Sequence, residues 1–211
     1  MRSVSDTVSI LGIPADETTP KVREAIMQLM AEVDRLRVDL DMTRRRLGEM
    51  ERLADLDPLA PISNRRAFVR ELTRMIAFSE RYGAPGSLIY LDLNDLKGVN
   101  DQFGHGAGDA ALRHVATILL DNIRESDIVG RLGGDEFGVI LVQSDEETAR
   151  VKAEKLVAAI ADEPFKWEDH ELSLKTANGV YAFRPGEDAN RAMAEADKAM
   201  YARKRDMKKS L

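Results

Sequence analysis

The sequence contains no cysteine, so neither a disulfide nor a thiolate metal site is available to it. It has no apolar run approaching bilayer-spanning length. No basic segment followed by an apolar stretch and a cleavage site opens it, so a secretory leader is not expected. An excess of positive charge is missing too. The formal net charge is −6, which weighs against an electrostatic grip on nucleic acid. A cytoplasmic chain is expected, with no membrane insertion and no nucleic-acid partner. The basic residues that are present cluster at 44–46, read as a solvated helix face, and at 203–209. With 211 residues, 44% of them apolar, the chain has room for one ordinary domain and an appendage.

The appendage lies at the amino-terminal side. Residues 1–19 carry no convincing period and are left as a short segment. Thr18-Thr19-Pro20 reads as a helix start, a hydroxyl cap followed by proline in the first turn. Apolar residues then recur at alternating spacings of four and three. Ile26, Val33, Leu40 and Leu47 fall at heptad position a, and Leu29, Leu36, Thr43 and Met50 at d. Mainly β-branched residues early at a, with leucine at d, favour a parallel two-stranded coil. Across such a pair, Glu32 would meet Arg37, Asp39 would meet Arg44, and Arg46 would meet Glu51, all of opposite sign. A helix docked on its own domain would show a wider apolar stripe. A coiled-coil helix over 20–55, pairing two copies in a homodimer, is therefore predicted. Pro58 and Pro61 end it, and 56–211 is read as the domain.

Within that domain, residues 131–141 read Arg-Leu-Gly-Gly-Asp-Glu-Phe-Gly-Val-Ile-Leu. Two glycines between short apolar runs predict a β-hairpin whose tight turn needs positive φ at the glycines. Asp135 and Glu136 crowd two carboxylates at its tip. Such acids are either simply solvated or share a cation or an incoming hydroxyl proton. Upstream, the apolar run 87–91 ends in Asp92, as a strand does when its end faces a ligand crevice. A loop rich in glycine, Asn and Asp follows over 98–109 and yields to a helix. The chain is read as helix 65–81, strand 87–93, helix 107–122, strands 127–132 and 136–142, helix 146–161, strand 172–182 and helix 189–205. That order fits an α+β domain, a sheet with helices packed against it.

Taken together these segments resemble the GGDEF family of diguanylate cyclases. Asp92, Lys97, Asn100-Asp101, Gly104-His105, Gly108-Asp109 and residues 133–137 fall in that family's order and spacing, over about Leu56 to Lys208. The resemblance implies a mostly antiparallel central sheet flanked by helices, similar to the palm of nucleotide polymerases and class III cyclases. It implies condensation of two GTP into cyclic di-GMP and two pyrophosphates across a homodimer. Mg²⁺ (or Mn²⁺) would be held by Asp92, Asp135 and the Leu93 carbonyl. Asp135 would deprotonate the attacking hydroxyl, with Glu136 assisting beside it. Asn100 and Asp109 stand at the guanine-reading positions. Phosphates would meet the backbone N–H groups of Asn94, Asp95, Leu96 and Lys97, with Lys204 and Lys208 from the basic carboxyl-terminal helix. His105 is expected to organise its loop by a hydrogen bond.

The departures are specific. Ala60-Pro61 replaces the family's Thr-Gly after Asp57-Pro58-Leu59. Asn94 stands where many relatives carry Asp, Asp95-Leu96 replaces His-Phe, and Lys208 replaces an arginine, losing a bidentate fork. Lys208 is equally consistent with a basic helix end that suits the dipole. Arg124 and Asp127, an element separated from Gly133 by five residues, match the spacing of the family's product-inhibitory site for cyclic di-GMP. A local ion pair is the plainer reading of Arg-x-x-Asp alone. A second basic contact is expected from Lys155 of another subunit. Two other functions fit parts of the chain: an inactive domain that senses cyclic di-GMP, and a coiled-coil interaction protein.

Overall fold

The computed structural model describes residues 9–10, 13–14 and 19–209, with side chains for 19–48, 50 and 54–205. Contacts divide the chain into two compact units, residues 1–54 and 55–211.

The first unit holds β1 (Ser9–Ile10), paired antiparallel with β2 (Ile13–Pro14), and the long helix α1 (Pro20–Asp55). The two strands fall in the segment for which the sequence gives no period. Helix α1 starts where Thr19 predicts. The Val22 N–H donates to its hydroxyl at 3.4 Å and the Arg23 N–H to its carbonyl at 3.0 Å. Its 36 residues make a rod about 54 Å long. Leu29, Val33, Leu36, Leu40 and Leu47 are all exposed along it. Glu32 accepts from Arg35 at 2.8 Å within the helix, one turn away. Among the described residues no helix is long and apolar enough to cross a membrane.

The second unit is built on a five-stranded sheet ordered β3 (Ser63–Asn64), β5 (Ile128–Arg131), β6 (Glu136–Val142), β4 (Gly86–Leu93), β9 (Thr176–Ala182). β3 runs parallel to β5 and every other pair is antiparallel. Alternation along β4 sorts its side chains to two faces. Leu88 and Tyr90 pack with α2 (Arg65–Tyr82) and α6 (Ala189–Lys209). Ile89, Leu91 and Leu93 pack with α4 (His105–Asp121) and α5 (Glu146–Asp162). Covered on both sides, β4 reads as the continuous apolar run seen in the sequence. Asn64 caps α2, accepting from the Ala67 N–H at 3.0 Å, and Gly83 closes that helix with φ 64°. Asp145 caps α5 in the same way through the Thr148 N–H at 2.9 Å.

Three elements depart from the sequence reading. A short helix α3 (Leu96–Phe103) occupies the loop before α4, started by Asp95 at φ 58°. The single strand expected over 172–182 is instead β8 (His170–Leu172) followed by β9. β8 pairs with β7 (Phe165–Trp167) in a separate hairpin. Its turn places Glu168 at φ 51°, a conformation that glycine or asparagine would have signalled. Finally, neither Gly133 nor Gly134 takes the left-handed conformation expected of them. The chain instead turns through residues 132–135 in a wider loop, closed by the Leu132 N–H donating to the Glu136 carbonyl at 2.8 Å.

Close approach, rather than turn geometry, explains the glycines that matter to packing. Gly130 and Gly138 are cross-strand partners, and the fully buried Phe68 ring lies on both. On β9, a Cβ at Gly179 would stand 2.2 Å from the Ala196 carbonyl oxygen and 2.2 Å from the Met200 nitrogen. Helix α6 therefore rests directly on the strand backbone. Gly179→Ala should lower stability by about 2–3 kcal/mol, since a helix backbone cannot rotate aside as a side chain can. Urea unfolding measures it. A loss below about 0.5 kcal/mol would mean that α6 shifts freely.

Candidate active site

The carboxyl end of β4 and the β5–β6 turn are joined by two features. Asp92 and Glu136 are directly opposed partners in the β4–β6 register, and the Leu93 N–H donates to the Asp135 carbonyl at 2.9 Å. Two like charges opposed across a strand pair repel each other. The charge is offset by Lys204 of α6, whose ammonium forms an ion pair with Asp92. Asp92 is almost fully buried at 9% exposure, so this ion pair lies mostly out of water. Glu136 shares the α2–α6 face with the buried Tyr90 hydroxyl. Burial first, and then the Glu136 charge beside it, holds that hydroxyl well above the ordinary tyrosine range.

A Cβ at Gly133 would meet a Glu136 carboxylate oxygen at 2.3 Å, so any other residue there would turn the Glu136 side chain aside. Gly134 faces open space, and its carbonyl accepts from Arg131 at 2.7 Å. Another nitrogen of the same guanidinium reaches the Asp57 carboxylate at 3.5 Å. Asp57 in turn accepts the Leu59 and Ala60 N–H groups at 2.9 and 3.2 Å. The carboxylate thus organises the Ala60-Pro61 junction from within, without the hydroxyl that this sequence lacks. The buried Arg131 Nε has no partner among the described residues.

On the other side of the turn opens a cavity of about 510 Å³. Lys97 and Asn100 of α3, Asp109 of α4, and Arg131 and Asp135 of the hairpin line it. Asn100 reaches its place because Gly108 has no side chain; a Cβ there would lie 2.0 Å from the Asn100 Oδ1. Leu96 and His105 line the same space, though the His105 ring makes no hydrogen bond among the described residues, contrary to its expected loop-organising role. The Asn94 N–H is engaged by the Lys175 carbonyl at 2.8 Å and is not free for a phosphate. Asp95 is exposed, and its carboxylate accepts the Gly98 N–H at 3.2 Å. The site residues thus fall into two groups that meet at the hairpin turn. Leu96, Lys97, Asn100, Asp109 and Asp135 share the cavity, while Asp92, Glu136 and Lys204 stand on the α6 face of the sheet. The Lys208 side chain lies outside the described residues.

Arg124 and Asp127 belong to neither group. They sit at the far end of the same hairpin, since Glu136 and Val142 are about 20 Å apart along β6. There they line a small cavity of about 110 Å³ with Ser144, Thr148 and Lys152. The plainer alternative for Arg-x-x-Asp, an ion pair between the two side chains, is not what holds Asp127. Its carboxylate accepts the Arg124 N–H at 3.1 Å and the Val142 N–H at 3.2 Å. Within the chain it is Lys152, one turn before Lys155, that lines this cavity and donates to the Asn122 carbonyl.

The family model for the diguanylate cyclase GGDEF domain matches residues 54–210, and the chain belongs to that family. It is 34% identical over 189 residues to the diguanylate cyclase DgcP of Pseudomonas aeruginosa. It is also 34% identical over 167 residues to the probable diguanylate cyclase DgcE of Escherichia coli. The alignments cover 90% and 79% of this chain but only 28% and 15% of those proteins, so the chain spans a minor part of their length. The coiled coil and GGDEF domain of DgcB from Caulobacter crescentus, solved with cyclic di-GMP, superposes with a TM-score of 0.75 at 28% identity. That match covers 84% of this chain and 95% of the other. The diguanylate cyclase SiaD of Pseudomonas aeruginosa, solved with its activator SiaC, gives 0.73 at 28% identity, covering 88% and 72%.

The sequence reading did not assign Tyr90, Gly108, Arg131 or Lys152 to a site. Tyr90 shares the two-residue period of Asp92 and Arg131 flanks the glycine pair, so both carried a signal. The pH dependence of stability tests the Tyr90 environment. Its hydroxyl is protonated in both folded and unfolded chains below pH 10, the ordinary tyrosine value. Above that the unfolded chain ionises first, so stability is lost as pH rises toward the folded value. The thermal midpoint should therefore fall more steeply between pH 9.5 and about 11.5 in the parent than in Tyr90→Phe. Parallel curves would mean that the hydroxyl is solvated.

Proposed function

We propose that this chain is a diguanylate cyclase that condenses two GTP molecules into cyclic di-GMP across a homodimer. The observation that supports it most is the single cavity lined by Asn100, Asp109, Lys97 and Asp135. Guanine presents the N1–H and N2–H₂ donors together with the O6 and N7 acceptors. The Asp109 carboxylate suits the donors, and the Asn100 amide supplies a donor for the acceptors. Lys97, the Arg131 guanidinium that lines the cavity and the backbone N–H groups of Leu96 and Lys97 suit phosphate oxygens. Lys204 adds a second charge from the other side.

Each 3′-hydroxyl attacks the α-phosphorus of the other nucleotide. A new O3′–P bond forms, the bond to the bridging α,β-oxygen breaks, and pyrophosphate leaves. Asp135, on the turn between the cavity and Asp92, is suited to take the hydroxyl proton. Glu136 is held nearby by Tyr90 and serves the charge balance at the strand end. The donor set fits a hard divalent cation. Asp92 and Glu136 are opposed carboxylates, and an ammonium already stands in for positive charge at Asp92. Mg²⁺ commonly takes one or two carboxylates and completes its shell with phosphates. Mg²⁺ (or Mn²⁺) bound by Asp92, Asp135 and the Leu93 carbonyl would neutralise phosphate charge and acidify the attacking hydroxyl.

One copy of this nucleotide cavity would hold one GTP, so two copies must face each other. The exposed heptad stripe of α1 supplies the contact, a second copy covering Leu29, Val33, Leu36 and Leu40. Arg124, Asp127 and Lys152 form a product-binding site that slows the enzyme, linked to Asp135 through the β5–β6 hairpin that follows Asp127.

Incubation with GTP and Mg²⁺ should release pyrophosphate and cyclic di-GMP in a ratio of two to one. Asp135→Asn should reduce the rate at least 10³-fold while leaving the fold intact. Added cyclic di-GMP should slow the parent and leave Arg124→Ala unaffected. A folded Asp135→Asn of near-parental rate would remove the site assignment. Parent and Arg124→Ala inhibited alike would remove the inhibitory one.

Removing residues 1–54 spares the whole constellation and the Asp55–Arg70 ion pair at 2.6 Å. Its specific activity should collapse at low protein concentration and recover with greater than first-order dependence, because the coil supplies effective concentration. Activity equal to the parent at the lowest measurable concentration would show that α1 does not pair the domains.

A further inference from the structure

The β7–β8 hairpin has no part in the chemistry described above, yet its two facing residues meet the base-reading turn on both sides. Trp167 and His170 are cross-strand partners at its tip, separated by Glu168 and Asp169. The His170 ring lies with its centroid 5.0 Å from that of Phe103, the last residue of α3, tilted by 52°. That spacing is normal for interacting aromatic rings. The Trp167 indole lies against the backbone of α4 at Gly106, where an added Cβ would be 3.1 Å from its Cη2 and 3.3 Å from its Cζ2. Between these two contacts the chain makes its sharp turn at Gly104, with φ 84°.

The turn fixes the guanine readers. Gly104 donates to the Asn100 carbonyl at 2.9 Å, and the Asn100 side chain rests over Gly108, next to Asp109. The angle between α3 and α4 therefore sets the spacing of Asn100 and Asp109. The root of the hairpin is fastened as well. Phe165 is buried at 5% exposure, its ring 5.8 Å from that of His114 on α4, and the His114 Nε2 lies 2.7 Å from the Glu163 carbonyl. A hairpin held at its root and pressed on both flanks of a turn limits the angle the two helices adopt.

We propose that the β7–β8 hairpin is a clamp on the α3–α4 turn and that Trp167 is a positioning residue for guanine recognition. The inference rests on the reading of the cavity as a GTP site and goes beyond it, since Trp167 does not line that cavity. Asp92, Asp135 and Glu136 stand on β4, the β5–β6 turn and β6, which the hairpin tip does not touch through these rings. Loosening the clamp should therefore weaken nucleotide binding and leave the chemical step alone.

The test compares parent, Trp167→Ala, Trp167→Phe and Gly106→Val as full-length proteins, by steady-state kinetics and by calorimetric titration of GTP with Ca²⁺ in place of Mg²⁺ to slow turnover. Trp167→Ala should raise KM and Kd for GTP roughly tenfold, about the worth of one hydrogen bond, with kcat within twofold. Trp167→Phe, which keeps a ring against Gly106, should recover most of the loss. Gly106→Val displaces the indole from the other side and should reproduce the Trp167→Ala phenotype. The double variant should then be no worse than either single one. An unchanged KM and Kd in both Trp167→Ala and Gly106→Val overturns the clamp, as does a fall in kcat at constant KM. If Trp167→Ala does not fold, Gly106→Val decides alone. A parent that binds no GTP overturns the functional reading itself. A parent that binds GTP as tightly as both variants overturns the clamp only.

Discussion

The arrangement of this domain depends on the pairing of β4 with β6. Their antiparallel register sets Asp92 opposite Glu136, and the next ladder bond, from the Leu93 N–H to the Asp135 carbonyl, carries the pairing into the turn. A slip of β6 by one residue would send Glu136 to the α4–α5 face and put Phe137 on the face that holds Asp92 and Lys204. The apolar alternation of both strands forbids it, because Leu88, Tyr90 and Ile140 must meet α2 and α6 while Ile89, Leu91 and Val139 must meet α4 and α5. The hydrophobic pattern of the sheet thus fixes where the charged groups lie. Opposed acids at the strand ends are held there against their own repulsion by apolar burial along the rest of the strands, with Lys204 as counter-charge.

Much of this was legible in the sequence for a physical reason. β4 and β6 are buried on both faces, so they appear as unbroken apolar runs ending in acids. The cap at Thr19 was read because its side chain bonds to a nearby N–H group, an interaction local in sequence; the caps Asn64 and Asp145 are just as local and went unread. The misreadings share a cause of the opposite kind. α3 is amphipathic over only eight residues and carries an internal glycine, and its start depends on Asp95 in a left-handed conformation. The β7–β8 turn uses Glu168 where a turn residue would announce itself. Gly133 and Gly134 were read for backbone conformation, whereas what distinguishes Gly133 is that Glu136 folds back over it, a contact no spacing rule encodes.

The site shows the same division. Asp92, Asn100, Asp109 and Asp135 were named through the family resemblance, and the latter three share one cavity. Tyr90 and Arg131 were not, because each acts through a three-dimensional neighbour: Glu136, and the pair of Asp57 with the Gly134 carbonyl. Arg131 joins the junction that follows the long helix to the turn that carries Asp135. The substitution of Ala60-Pro61 for a hydroxyl and a glycine is absorbed locally, since Asp57 provides the acceptor that shapes that loop.

Asp127 has a thermodynamic consequence. Both of its carboxylate oxygens are engaged with backbone N–H groups, on the loop before β5 and at the end of β6. The loop before β5 is therefore ordered in the course of folding, and a ligand entering the small cavity beside Arg124 and Lys152 meets a shape already made. A carboxylate oxygen has a second lone pair, so guest donors add to the existing bonds without displacing them. Calorimetry on such a pocket would register little loss of chain entropy. Its heat would come mainly from charge and hydrogen bonding, since the Lys152 ammonium has two further donors beside the one given to the Asn122 carbonyl.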